Sequence, residues 1–382
     1  METKKNYFSY SQISKYSTCP KAYYYHYKQR LRERSATSFL AVGAALDQAL
    51  NSILLDFKNN KSVTVDYKGV LDLNWDTIEI NKKRYKLIDC TLVGYAKVDW
   101  QSELLHPEDI SFIQGKMTEY KLPYTNHNLD NLKEFLEDKR SGNNLEPITE
   151  NEHKLLNTMN WLCVRRKLHL MLDAFVEKVI PELEEVVEVQ KKVEMSNGSE
   201  DFVGFIDFIA KFKNDLNTYI VDNKSSSSPY HEDKLKHSVQ LSTYCYALGL
   251  GHAAYVVLNK NIRLNKKRVC MECGNVPNLT DRHKTCNKII KAKRCDGMWD
   301  ETVEPDCYVQ ILKGEISQEL QNTVIENISE VADAVAKEVF PRNLNSCNSQ
   351  YGGKCPYMKV CLFNKEDDNL IDLNKIDVDT NT

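Results

Sequence analysis

Residues 202–228, FVGFIDFIAKFKNDLNTYIVDNKSSSS, contain two apolar, β-branched and aromatic runs separated by the polar link KNDLN. Such a pattern reads as two strands joined by a turn. Each run also carries a carboxylate, and a buried carboxylate is costly unless something pairs with it. Asp207 lies in the middle of the first run, and Asp222 and Lys224 close the second. Side chains two apart on a strand share a face. Asp222 and Lys224 therefore point with Ile220, and Asp207 points with Phe205 and Ile209. If the two strands pair, Asp207, Asp222 and Lys224 can converge. Two carboxylates held close repel each other, and a divalent cation is their natural partner. An oxygen-rich site of this kind suits Mg²⁺ or Mn²⁺. The backbone carbonyl of Asn223 is a candidate further ligand. Lys224 could stabilise charge on a phosphate, or position or deprotonate a water. Gly204 leaves room for close approach of backbone or substrate. Taken alone, D-x-K also describes an ordinary ion pair at a strand end.

The flanking sequence gives the motif an ordered context. EEVVEVQKKVEM precedes it as a further strand. ATSFLAVGAALDQALNSILLDF (36–57) reads as a helix with an apolar stripe at Leu46, Leu50, Ile53 and Leu54. Residues 150–180 have helical periodicity and stop at Pro181. HEDKLKHSVQLSTYCYALGLG reads as one helix ended by glycine, with Gln240 and Tyr244 one turn apart on one face. HAAYVVLNK and DCYVQILKG are strands, and 316–340 is an amphipathic helix. The expected fold class is α/β, a mixed central sheet flanked by helices. Residues 58–150 are the least legible and are expected to form a helical insertion. Residues 261–304 form a cysteine-rich insert, and 366–382 an acidic tail.

These motifs resemble a known family. Gly204–Asp207 (G-x-x-D), Asp222–Lys224 (D-x-K) and Gln240–Tyr244 (Q-x-x-x-Y) look like the RecB-like branch of the PD-(D/E)XK nuclease superfamily. SYSQISKYSTCP resembles the S-x-S-x-L…CP opening of those nucleases. GAALDQAL (43–50) occupies the place of their first motif, with Asp47 where a histidine is commonest. The resemblance implies a PD-(D/E)XK nuclease-like domain over 1–365 and metal-dependent hydrolysis of DNA. It assigns Asp47, Asp207 and Asp222 to Mg²⁺ or Mn²⁺, Lys224 to the attacking water and transition state, and Gln240 and Tyr244 to orienting the metal site or the DNA. The implied activity is that of an exonuclease on single strands or duplex ends in repair, recombination or phage DNA metabolism. The rival readings are a non-catalytic DNA-binding protein on the same scaffold and a structure-selective endonuclease. No G-x-x-x-x-G-K-[ST] loop is present, so any helicase or recombination partner is a separate chain.

Twelve cysteines are many for a chain whose opening, METKKNYFSYSQ, has no apolar signal region. The longest apolar stretch, 245–258, is too short to span a membrane. The protein is therefore expected in the cytoplasm, where clustered cysteines bind metal rather than form disulfides. Cys270, Cys273, Cys286 and Cys295 have spacing suited to a structural Zn²⁺, with His283 as a substitute ligand. Net charge is −3, yet residues 259–294 carry eleven Lys/Arg against Glu272 and Asp281. The zinc insert would display these lysines toward a DNA backbone.

Cys347, Cys355 and Cys361 make a second group that needs a fourth ligand. The resemblance supplies it. AddB and the CRISPR-adaptation exonucleases hold a [4Fe–4S] cluster with one cysteine before the first motif and three near the C-terminus, which implies Cys19 here. The seven residues between Cys347 and Cys355 exceed the usual interval, and zinc or no metal are the alternatives for this set. The tyrosines at 23–25 and 27 either stack bases or pack a helix. Arg165, Arg166 and Lys167 either contact phosphate or face solvent.

Overall fold

The computed structural model describes residues 7–33, 38–75, 77–80, 83–86, 102–124, 127–144, 146–196, 201–277, 283–290, 293–348 and 354–375. A six-stranded mixed sheet lies at its centre. Its strands are β1 (Tyr7–Phe8), β2 (Leu183–Ser196), β3 (Asp201–Phe212), β4 (Thr218–Ser226), β5 (His252–Asn259) and β6 (Val309–Glu315). β2 and β3 form a long antiparallel hairpin. β1 runs parallel to the start of β3, and β4 pairs antiparallel with its end. β5 is parallel to β4 and antiparallel to β6. The fold class is thus the expected one.

Helices α1 (Tyr10–Thr18), α2 (Ser38–Asn60), α3 (Glu150–Lys178), α4 (Val239–Leu248) and α5 (Gln318–Ala336) cover the sheet. Period-2 alternation sends neighbouring residues to opposite layers. Val221, Val256 and Leu258 pack with Leu50, Ile53 and Phe175 of α2 and α3. Ile220, Tyr255 and Val257 pack with Leu241 of α4 and Val324 and Ile328 of α5. Both faces of β5 are therefore buried, which accounts for its continuous apolar run.

Residues 58–150 contain the helices Tyr67–Trp75, Pro107–Glu119 and Leu129–Ser141 and a hairpin, Thr77–Ile80 with Lys83–Lys86. These helices cover the far side of α3, which is why α3 is apolar nearly all round. Arg165 on α3 binds Asp109 at 2.6 Å, and Arg166 Nε donates to the Leu104 carbonyl at 3.1 Å. Lys167 is buried. Arg165 and Arg166 thus fasten the insertion rather than form the solvated or phosphate-facing patch that their charge suggests.

Two expectations about local structure change. The helix expected from His231 to Gly249 is two helices, Glu232–Lys236 and α4. Ser238 divides them by accepting a hydrogen bond from the Leu241 N–H at 3.2 Å, an N-cap interaction. Part of the expected tail is also ordered: Leu370–Asp372 pairs antiparallel with Leu31–Glu33. Residues 376–382 lie outside the described residues.

The two ends of the chain pack together. The Tyr16 hydroxyl donates to the Val339 carbonyl at 2.7 Å, and Asn343 Nδ2 donates to the Thr18 carbonyl at 2.9 Å. Tyr23 and Tyr25 are buried, with their rings against Phe340 and Tyr357. They pack helices rather than stand ready to stack bases. Among the described residues, no helix is long and apolar enough to cross a membrane.

Candidate active site

The site forms where the sheet opens. Pairing of β3 with β4 ends at Phe208↔Val221, one residue before Asp207. Beyond that point the Asn223 backbone N–H donates to Asp207 Oδ2 at 2.7 Å, so a side chain replaces the ladder partner. Lys224 Nζ lies 2.5 Å from Asp222 Oδ2 and donates to Gln240 Oε1 of α4 at 3.4 Å. Gln240 in turn hydrogen-bonds Tyr244. Gly204 has a tighter reason than open space. A Cβ there would lie 2.6 Å from Tyr244 Cε1 and 3.1 Å from its hydroxyl. The glycine of G-x-x-D admits the ring of Q-x-x-x-Y, which ties two distant motifs into one contact.

The electrostatics are those of crowded carboxylates. Burial, the Asp222 carboxylate and the more distant Asp47 push Asp207 up to about 7, against the pull of the Asn223 N–H. Burial also raises Asp222, which the Lys224 ammonium opposes. Asp47 is raised by burial, opposed by its hydrogen bond from Asn51 and reinforced by Asp222. Lys224 is disfavoured by burial, but the Asp222 and Asp207 carboxylates prevail and hold it above its usual range. It is therefore an ammonium at neutral pH, suited to donating to a phosphate oxygen rather than removing a proton. Asp47, from α2, thus shares one electrostatic neighbourhood with Asp207, Asp222 and Lys224. Three carboxylates and the Asn223 carbonyl are hard oxygen donors, and a divalent cation fits both that chemistry and the unrelieved repulsion.

One residue of the site is silent in the sequence. The register brackets Gln190 opposite Asp207, between Val189↔Phe208 and Lys191↔Ile206. Its φ is +50°, a left-handed conformation that costs a non-glycine residue about 1 kcal/mol or more. The hairpin changes layers here. Val189 and Phe208 pack with α2 and α3, whereas Val193 and Ile206 pack with α4 and α5. The turned Gln190 sends Nε2 to Asp47 Oδ1 at 3.4 Å and to Asn51 Oδ1 at 3.2 Å, while Asn51 Nδ2 donates to Asp47 Oδ2 at 3.2 Å. Two amides thereby orient both oxygens of Asp47. Gln190→Ala is expected to weaken Mn²⁺ binding by roughly 10-fold, the scale of groups that orient metal ligands. Titration calorimetry checks this, and Gln190→Gly separates backbone relief from loss of the amide.

The cysteines form two neighbourhoods. Cys270, Cys273, Cys286 and Cys295 place their sulfurs within 4.8 Å of one another. Cys270 Sγ is 3.6 Å from Cys295 Sγ, and Cys273 Sγ is 3.6 Å from Cys286 Sγ. A tetrahedron with ~2.3 Å metal–sulfur bonds has edges of roughly 3.8 Å, so four thiolates spaced this way can hold one ion. His283 is outside this group. In the second neighbourhood, burial raises the Cys355 thiol, and Cys347, Cys19 and Cys361 lie near enough to raise it further. Cys163, Cys245 and Cys307 are buried singly, and Cys90 lies outside the described residues.

A mixed sheet that opens around clustered acids and a lysine is the framework of a metal-dependent nuclease. The PD-(D/E)XK nuclease superfamily matches residues 7–108 and 118–362, and the chain belongs to that superfamily. Among solved structures, that of SSO0001 is 11% identical, covers 65% of this chain and 84% of its own, and superposes with a TM-score of 0.23. No curated protein matches the chain.

Proposed function

We propose that the protein is a Mg²⁺- or Mn²⁺-dependent DNase of the RecB-like branch, acting as an exonuclease on single-stranded DNA or duplex ends. What supports this reading is the largely buried pair Asp207 and Asp222 beside a lysine held in its charged form, with Asp47 near enough to act on both electrostatically. Asp207 and Asp222, with Asp47 and the Asn223 carbonyl, would hold the metal, which supplies charge neutralisation and a more acidic water when bound. Lys224 donates to a non-bridging phosphate oxygen as charge builds on it. Gln240 fixes the lysine, and Tyr244 packs against Gly204 to fix Gln240. DNA is the partner, and a helicase or recombination protein would be a second one.

The test uses protein purified without oxygen and end-labelled single-stranded, linear duplex and circular DNA, with Mg²⁺, Mn²⁺ or EDTA. Metal-dependent shortening of linear DNA, with circles spared, supports the exonuclease. Cutting of circles replaces it with an endonuclease. Binding without cleavage under any metal leaves a DNA-binding scaffold.

The cysteine sets take different metals in this reading. The tight set holds structural Zn²⁺. The looser set of Cys19, Cys347, Cys355 and Cys361 holds a [4Fe–4S] cluster, which is larger than one ion and does not require its ligands to crowd. Elemental analysis is expected to return one zinc, with iron and sulfide at about four each per chain. Cys270→Ser should lose the zinc alone and alter the emission of Trp299, which pairs with Cys270. Cys361→Ser should lose the iron alone. Zinc lost with the iron would overturn the assignment.

A further inference from the structure

The cysteine-rich insert is an arm. Its strands, Arg263–Cys270 and Trp299–Asp306, pair antiparallel over eight residues each. At ~3.4 Å per residue such a ribbon is roughly 26 Å long. The root is fixed beside the active site. The Lys260 N–H donates to the Ser226 carbonyl at 2.8 Å, and Asn261 Nδ2 donates to the Ser227 carbonyl at 3.0 Å. Both acceptors lie in the serine run that follows Lys224. Lys178 secures the other strand through Asp306 at 2.6 Å.

The far end combines two properties. It is net basic: beyond the two strands, residues 271–298 hold six Lys/Arg against Glu272, Asp281 and Asp296, the last paired with Arg294 at 3.4 Å. It also exposes large apolar side chains on a rigid base. Met271 is 70% exposed and Met298 69%, and the two residues are joined by the hydrogen bond Met271 N–H to Met298 carbonyl at 3.0 Å. A small hairpin beside them, Ile289–Ile290 with Lys293–Arg294, leaves Ile289 74% exposed. A net cationic end complements an anionic polymer, and exposed Met and Ile are side chains that lie in grooves or against base steps.

We infer that the arm is a second nucleic-acid contact, gripping the sugar–phosphate backbone about eight base pairs from its root, given ~3.4 Å of rise per base pair. This rests on the nuclease reading for the first contact. The test compares the full chain with Lys288→Ala/Lys293→Ala/Arg294→Ala, on a 30-base-pair duplex and on a hairpin with a six-base-pair stem. Binding is read by fluorescence anisotropy in Ca²⁺ over a range of salt. The triple variant is expected to bind the long duplex roughly 10- to 100-fold more weakly and to flatten the log–log salt slope by about 2.7, three charges at ~0.9 each. The short stem should bind both proteins alike. Unchanged affinity and slope on the long duplex overturns the inference, as does an equal loss on the short stem. So does an arm that captures an acidic protein while DNA binding is unaffected. Zinc content of the variant shows whether the arm has kept its fold. The nuclease reading is scored separately, by cleavage of the short stem in Mg²⁺. It can fail while the arm's binding contribution stands, and the reverse.

Discussion

Lys224→Ala is expected to slow single-turnover cleavage of DNA by about 10³-fold or more, the upper range for removing one preorganised donor from a transition state. The size follows from position. The ammonium sits 2.5 Å from Asp222 and within reach of Gln240, at the opening of the sheet. Its charge is maintained by the same carboxylates that would bind metal. Removing it takes away the cation that opposes the burial of Asp222, so that carboxyl should bind its proton, or a metal, more tightly. The variant should therefore keep or gain Mn²⁺ affinity while losing rate. Arginine at 224 is not a conservative rescue, because its planar fork cannot replace a compact ammonium. Circular dichroism and metal titration establish that the variant is folded and loaded. Cleavage within tenfold of the parent in such a variant would remove Lys224 from the chemistry.

Asp207→Asn is expected to abolish cleavage and yet stabilise the metal-free protein. Asp207 is pushed up from 3.8 to about 7 in the folded chain by burial and by Asp222. The folded state then binds more protons than the unfolded state between those two values, so stability falls as pH rises through that window. Asparagine cannot ionise, and its carbonyl oxygen can still accept from the Asn223 N–H. In EDTA the two proteins should melt alike near pH 4. Above pH 7 the variant should be ahead by about 1–2 kcal/mol, the scale of relieving strain at a functional site. Millimolar Mg²⁺ should raise the melting temperature of the parent and not of the variant, since only a ligand bound to the folded state stabilises it. A variant less stable than the parent at pH 8 in EDTA would mean that the carboxylate crowding is not real.

What was legible in the sequence was what local pattern encodes. The period-2 runs, the turn between them and the apolar stripe at Leu46, Leu50, Ile53 and Leu54 all recur as read. The D-x-K spacing fixes the relation of Asp222 to Lys224 because both lie on one strand. The break at His237–Ser238 was readable too, since Ser238 is an ordinary N-cap residue, but the polar HEDKLKH before it carries no glycine or proline to mark a stop. Gln190 and Asn51 were not legible. Nothing in EVVEVQKKVEM marks one glutamine as left-handed, because that conformation is imposed by the hairpin passing from one layer to the other. Nor does composition show that Gly204 is matched to Tyr244, forty residues later. The pairing of Leu370–Asp372 with Leu31–Glu33 rests on three residues per strand, too short to carry a pattern.

The junction of the chain's two ends bears on how the protein is made. The Val339 carbonyl that receives the Tyr16 hydroxyl lies 323 residues downstream, and the partner of the His26 ring, Tyr357, lies 331 downstream. A growing chain can pack Ile13 and Tyr23 on β2 and β3 early, but the contacts with Val339 and Tyr357 wait for those residues to be made. Contacts of such high sequence separation are slow to form. Chains cut short before Val339 cannot close this junction.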